Sequence, residues 1–359
     1  MTNFRNTREV LSVSRVKRRI GGGLLATILL SAALYGQAQP ESATAKVDLI
    51  GINMSAAGFA GQVLPGVEGT NYFYPTEDYF RRYAAKGIRF IRFPFLWERV
   101  QPQLGGDLDQ AQVALLQRTL DFADKYGIRV ILDMHNYARY RGQLIGSSQV
   151  PYASYADAWK RLALTFQKHP ALYGYDVMNE PHDTQGLWPR AAQTAVDSIR
   201  SVDMQTPIFI AGDSWSSAQR WPQVNGDLLI KDPADNLIYE AHIYFDDDSS
   251  GNYASGMKGV HPMIGVERTR PFIEWLKQHN LRGFVGEYGI PAHPQWLEAM
   301  DNLLSYLGEQ CVPSAYWAAG PGWGDYPLAI EPKNGAEKPQ TALLQKHLNK
   351  HDCQVIGPR

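Results

Sequence analysis

The sequence predicts an α/β chain closed into a single (β/α)8 barrel, the TIM-barrel class. Three observations carry that expectation: eight short runs rich in apolar residues, longer amphipathic stretches between them, and a chain of 359 residues, enough for one barrel. Most of the runs are nearly continuous in apolar residues, the pattern of strands covered on both faces rather than of half-exposed strands that alternate. Eight such units close into a ring more naturally than they lie in an open sheet.

Taken in order, the strands are expected at 47–53, 88–93, 129–134, 173–178, 207–211, 237–241, 283–286 and 314–318. Helical patterns fall at 76–86, 109–126, 154–168, 193–203, 266–279, 295–310 and 341–349, and the unit after Pro207 is the least distinct. In 109–126, Val113, Leu116, Leu120 and Ala123 recur at helical spacing and Gly127 stands where a left-handed cap ends a helix. In 154–168, Ser154 and Asp157 read as a capping box, Trp159, Leu162 and Phe166 as the buried stripe, and Pro170 follows the end. The run Asp246-Asp247-Asp248, followed by Ser249, Ser250 and Gly251, reads as a solvated loop, since it lacks the ligand spacing of a calcium loop. There is no fixed-period repeat and no low-complexity linker after residue 45, so an attached binding module is not expected.

The first residues have a different character. Arg15, Lys17, Arg18 and Arg19 make a basic region, residues 20–34 are apolar, and Gly36-Gln37-Ala38 supplies small residues at a cleavage position. Residues 1–38 are therefore expected to be a signal peptide and 39–359 the catalytic barrel, secreted to the periplasm or outside the cell. The apolar run is shorter than the ~20 residues of a spanning helix, so no membrane association is expected after cleavage. Cys311 and Cys353 are the only two cysteines. In an exported chain they either bridge, pinning the C-terminal tail, or remain two thiols. A net charge of −1 supplies no basic surface for nucleic acid, and a neutral ligand suits it better.

In a barrel of this class the active site lies at the C-terminal ends of the strands, which makes polar residues there candidates. The first strand ends in Asn53, the second carries Arg92, and the third ends Asp133-Met134-His135-Asn136. The fourth ends Asn179-Glu180-Pro181, the sixth gives His242-Ile243-Tyr244, the seventh Glu287-Tyr288-Gly289, and the eighth carries Trp317. Two glutamates on strands four and seven face each other across such a barrel. Retaining glycoside hydrolysis needs two carboxyls about 5 to 5.5 Å apart, one protonated and one ionised. Asp176, Glu240 and Asp213 are competing acids: the first two sit within strands, where structural hydrogen bonding is the commoner role, and Asp213 lies at a strand end near any bound sugar. Trp97, Trp215 and Trp323 are candidates for outer sugar subsites, with burial in the core as the other reading.

The segments 87–94 (GIRFIRFP), 131–136 (ILDMHN), 175–181 (YDVMNEP), 242–244 (HIY) and 286–289 (GEYG) resemble those of glycoside hydrolase family 5, the cellulase family of clan A. Gly51-Ile52-Asn53, followed by Gly58-Phe59-Ala60-Gly61, is similar to its endoglucanase branch. The resemblance implies an endo-β-1,4-glucanase acting by double displacement, with Glu180 as acid/base and Glu287 as nucleophile. It implies that Arg92 and Tyr244 hold Glu287, that Asn179 bonds the sugar 2-hydroxyl, and that His135 and His242 line the cleavage subsite. Trp317 would lie under a pyranose ring. No cofactor or metal is implied; the partner is a β-glucan polysaccharide or oligosaccharide, and a monomer is expected. The alternatives are a mannanase, xyloglucanase or mixed-linkage glucanase with the same two acids, or a non-catalytic glycan-binding barrel. A metal-dependent barrel hydrolase is disfavoured because the first strand has no His-x-His.

Overall fold

Eight parallel strands close into a barrel in the computed structural model, which describes residues 46–358. They are β1 (Ile50–Met54), β2 (Phe90–Phe95), β3 (Arg129–Met134), β4 (Leu172–Asp176), β5 (Ile208–Ala211), β6 (Leu237–His242), β7 (Gly283–Tyr288) and β8 (Ser314–Ala319). Each pairs with its sequence neighbours, and β8 returns to β1. The described residues belong to the unit Thr44–Arg359. The signal peptide expected at 1–38 lies outside the described residues. Among the described residues no helix is long and apolar enough to cross a membrane.

A helix follows every strand: Glu77–Ala85, Gln110–Lys125, Tyr152–Phe166, Trp188–Arg200, Trp221–Asn225, Ile264–His279, Pro294–Glu309 and Pro339–His347. In the second, the Asp109 carboxylate accepts from the Gln112 amide at 2.9 Å and so satisfies one orphan donor, while Leu116, Leu120 and Ala123 form the buried face. The capping box expected at Ser154 is not formed. That helix starts at Tyr152 behind Pro151, placing Ser154 inside the first turn, and Asp157 instead pairs with Arg161 and Gln101, each at 2.8 Å. The unit after β5 has only the short helix Trp221–Asn225. A two-stranded hairpin, Arg139–Tyr140 with Gln143–Leu144, lies in the loop after β3 and has no counterpart in the sequence reading.

Successive side chains of a strand point to opposite faces, so residues two apart share one face. This alternation stacks the barrel interior in layers. Phe90, Ile131, Phe209, Ile238, Phe284 and Ala315 form one buried apolar cluster. Two residues further along β2, β3 and β6 stand Arg92, Asp133 and Glu240, all fully buried. A polar layer thus rests on an apolar floor, and strands that look uniformly apolar carry their charges on the inward face above it.

The ladder between β6 and β7 breaks this rule at one place. Ala241 pairs with Val285 but His242 pairs with Glu287, leaving Gly286 as an extra residue; on the other flank the register with β8 jumps from Val285 to Tyr288. A bulge of this kind re-aims the next side chain. Gly286 faces the interior, where a Cβ would lie 1.7 Å from Glu240 Oε1, and Glu287 reaches the same interior one residue later. Cys311 and Cys353 form a disulfide with Cα atoms 5.6 Å apart, and the Cys353 carbonyl accepts from the Val47 amide at 2.8 Å, so the tail is tied to the start of the barrel.

Candidate active site

Arg92 is the hub of the polar layer. Its Nε lies 2.8 Å from Asp176 Oδ2 and 3.0 Å from Glu240 Oε1. Nη1 is 3.0 Å from both Asp133 Oδ2 and Glu287 Oε1 and 3.1 Å from Asn53 Oδ1, while Nη2 donates to Asn179 Oδ1 at 2.8 Å. Four carboxyl groups around one buried guanidinium are tolerable only if some of them are neutral or find a second cation. Both happen. Burial and the adjacent Glu240 push the Asp176 carboxyl up to about 8, overcoming the opposing pull of Arg92. Burial favours a neutral His242, but the facing carboxylates of Glu287, Glu180 and Glu240 override it and raise the imidazole to about 10. His242 is thus the second cation.

The histidines stand one pleat above the acids. His135 Nδ1 is 2.7 Å from Asp133 Oδ2, and His242 Nε2 is 3.0 Å from Glu240 Oε1, each pair two residues apart on one strand. The other ring nitrogen of His242, Nδ1, is 2.8 Å from Glu180 Oε1 and 3.6 Å from Glu287 Oε2. An imidazolium held this way donates to Glu240 below and Glu180 above. Glu180 adopts φ +42, a left-handed conformation uncommon for a residue with a Cβ, and its side chain is 16% exposed at the mouth. Glu287 is more deeply set: Arg92 holds Oε1, and the Tyr244 hydroxyl donates to Oε2 at 2.8 Å.

Glu180, His242 and Glu287 each offer an atom, and these atoms lie within 4.8 Å of one another. A cation there would have to displace Arg92, Tyr244 or Glu240 from groups they already bond. The spacing is instead that of two carboxyls in the short class, well below the roughly 6.5 to 9.5 Å that leaves room for a water between them.

The remaining expected residues separate into two sides of the mouth. Trp317, at the end of β8, stacks on His135 with centroids 5.6 Å apart and planes 10° apart, and Trp323 meets it edge-on at 5.6 Å. Across the barrel, a cleft of about 550 Å³ runs past Glu180 and His242 between Trp215 and the loop after β6. Trp215 is 42% exposed and stacks flat on His182 at 4.6 Å. Trp97 is not available to a sugar: the helix Trp97–Val100 turns its ring inward against Tyr140 and Tyr155, leaving 1% exposed. The Asp213 carboxylate is engaged by Thr184 Oγ1 from the loop after β4 and by the Ser214 amide of its own loop. The acidic run after β6 is not uniformly solvated either, because Asp246 is buried. Tyr137 and Arg268 also line the cleft and have no strand-end signal; Arg268 sits on a helix, whose pattern does not reveal which residues reach the mouth.

A closed parallel barrel with two close carboxyls at the C-terminal mouth defines the class of two-carboxylate glycoside hydrolase barrels. Comparison narrows the class. The sequence model of Cellulase (glycosyl hydrolase family 5) matches residues 42–322, and the chain belongs to that family. The Aspergillus niger endo-beta-1,4-glucanase B is 32% identical over 322 residues, covering 86% of this chain and 94% of that protein. The Pseudomonas stutzeri endoglucanase Cel5A, solved in complex with cellobiose, is 60% identical with a TM-score of 0.86, covering 88% of this chain and 98% of that one. XacCel5A, solved with cellopentaose, is 36% identical with a TM-score of 0.79 over 84% of this chain and 99% of its own.

Proposed function

We propose that the protein is an exported, monomeric, retaining endo-β-1,4-glucanase in which Glu180 is the acid/base and Glu287 the nucleophile. The observation that carries this reading is the unequal setting of two close carboxyls. Glu287 accepts from Arg92 on one oxygen and Tyr244 on the other, which fixes its carboxyl group in place. Glu180 is nearer the solvent, where protons exchange, and its partner His242 orients it. Glu287 attacks the anomeric carbon as Glu180 protonates the departing oxygen; Glu180 then takes a proton from water, which releases the sugar from Glu287.

Asn179 bonds Arg92 through Oδ1 and leaves its buried Nδ2 without a protein partner, a donor suited to a sugar hydroxyl. Trp317 supplies an aromatic face beside His135, and Trp215 and Trp323 extend the aromatic surface to the two sides. The glucan preference rests on the relatives: the Aspergillus niger protein is an endo-beta-1,4-glucanase, and the Pseudomonas stutzeri endoglucanase and XacCel5A were solved with cellobiose and cellopentaose. Export is supported by the basic and apolar residues within 1–38 and by the Cys311–Cys353 disulfide, a bond of oxidising compartments.

Proton NMR of early cellopentaose hydrolysis tests the mechanism. Two displacements at one carbon restore its hand, so β product must appear first; initial α product refutes the assignment. Glu287→Gln is expected to be folded and inactive, and turnover in that variant removes Glu287 from the nucleophile role.

A further inference from the structure

Asp246, first of the three acidic residues after β6, is 1% exposed. Its Oδ1 accepts from the Gly251 amide at 3.0 Å, and Oδ2 accepts from Ser250 Oγ at 3.0 Å and the Tyr253 amide at 3.1 Å. One carboxylate therefore closes residues 246–253 into a ring. Arg268 Nη1 fixes the ring to its helix through the carbonyls of Tyr244 and Asp246, at 2.6 and 2.7 Å. The Tyr253 hydroxyl donates to the Gly289 carbonyl at 2.5 Å, joining the ring to the turn after β7.

The ring presses on one side chain. Gly251 has φ +74, and a Cβ there would come within 2.8 Å of Tyr244 Cδ1 and 2.9 Å of Cε1. Tyr244 in turn donates to Glu287. Asp248, Ser249 and Ser250 of the same ring line the cleft.

We propose that Asp246 is a positioning residue for Glu287: it acts through the ring 246–253, whose Gly251 holds the Tyr244 phenol on the Glu287 carboxylate. The proposal rests on the reading of Glu287 as nucleophile. The groups facing Glu287 are Arg92 from β2, Glu180 after β4, His242 and Tyr244 from β6, Tyr137 after β3 and Tyr326 after β8. Those electrostatically close to Asp246 are Arg268, Tyr253, Tyr326 and Asp248. Tyr244 is the packed link between the two sets.

The test is a double-mutant cycle with Asp246→Ala and Tyr244→Phe, reading kcat and KM on a soluble cello-oligosaccharide. Each single variant is expected to lose roughly 10- to 100-fold in kcat, the weight of one hydrogen bond to a charged group. The double variant should lose little more than Tyr244→Phe alone, because both changes break one chain of contacts. The loss should fall on kcat with KM little changed, because the contact positions the carboxylate rather than binding sugar. Gly251→Ala leaves the Asp246 side chain in place and sets a methyl group against the phenol, at a backbone angle strained for alanine; it should reproduce the kcat loss, and it carries the test if Asp246→Ala does not fold. Asp247→Asn, on the exposed neighbour, should leave kcat unchanged. Losses that multiply in the double variant, a KM effect alone in Asp246→Ala, or a silent Gly251→Ala would each overturn the proposal. An active Glu287→Gln would instead remove the nucleophile reading, which separates the two failures.

Discussion

Gly286→Ala adds one methyl group where the barrel has no space for it, and the consequence can be worked from distances. The new Cβ would lie 1.7 Å from Glu240 Oε1, 2.5 Å from its Cδ and 2.9 Å from its Cγ. To reach a contact of about 3.5 Å, the carboxylate must retreat by roughly 1.8 Å. Its two bonds of 3.0 Å, to His242 Nε2 and Arg92 Nε, then exceed hydrogen-bonding range. Each bond to a charged partner is worth about 1.5 to 3 kcal/mol, and partial relaxation leaves a net loss of about 3 kcal/mol. In a barrel of this size that lowers Tm by about 5 °C. His242, deprived of its lower acceptor, should hold its proton less tightly, and kcat should fall roughly 10- to 100-fold as Glu180 loses a fixed partner. Thermal unfolding, steady-state kinetics and the NMR titration of the His242 ring nitrogens read the three effects separately. A Gly286→Ala protein with the parent's Tm and kcat would refute the reasoning, because it would mean that the bulge shifts and that Glu240 does not position His242.

Glu180→Ala should retain far more activity on aryl cellobiosides with good leaving groups than on cellulose oligomers, since no proton need be supplied to the former; equal losses would contradict the acid role. Trp215→Ala should raise KM for long cello-oligosaccharides more than for short ones, because its exposed ring lies outside the cleavage position; an unchanged chain-length profile would remove it from the subsites. Stability should fall as pH rises from neutrality. His242 is raised from 6.5 to about 10, so its contribution is complete below pH 6.5 and disappears as pH passes through 10, while Asp176, raised from 3.8 to about 8, binds a proton in the fold that the unfolded chain has lost, and that difference acts in the same direction up to pH 8. Denaturant midpoints measured from pH 6 to 10 check this, and a flat profile would refute the charge assignment of the buried layer. Carboxymethyl-cellulose should lose viscosity before many reducing ends appear, and release of cellobiose with viscosity unchanged would overturn the endo reading alone.

The sequence by itself determined the barrel and which polar residues its strand ends carry. Eight apolar runs separated by helical stripes admit few other folds, and polar residues gather at or near the ends of the runs, at Asn53, His135, Glu180, His242 and Glu287, because the site of such a barrel is built at its mouth. The rest depended on tertiary structure. Period-two alternation says that Arg92 and Asp133 share a face with Phe90 and Ile131, but not that Asp176 and Glu240 meet the same guanidinium from other strands and make a charged floor under the site. Trp97 and Trp215 are both loop-proximal tryptophans in the sequence; only the path of the backbone sends one into the core and the other to the cleft. Asp246 reads as a solvated acid because nothing local announces that three donors converge on it. The aim of Glu287 is the sharpest case. Strict alternation gives Gly286 and Glu287 opposite faces, and a bulge, set by register with both neighbouring strands, turns the second glutamate inward. Register is a relation between chain segments far apart in sequence, which is why only the closed barrel fixes it.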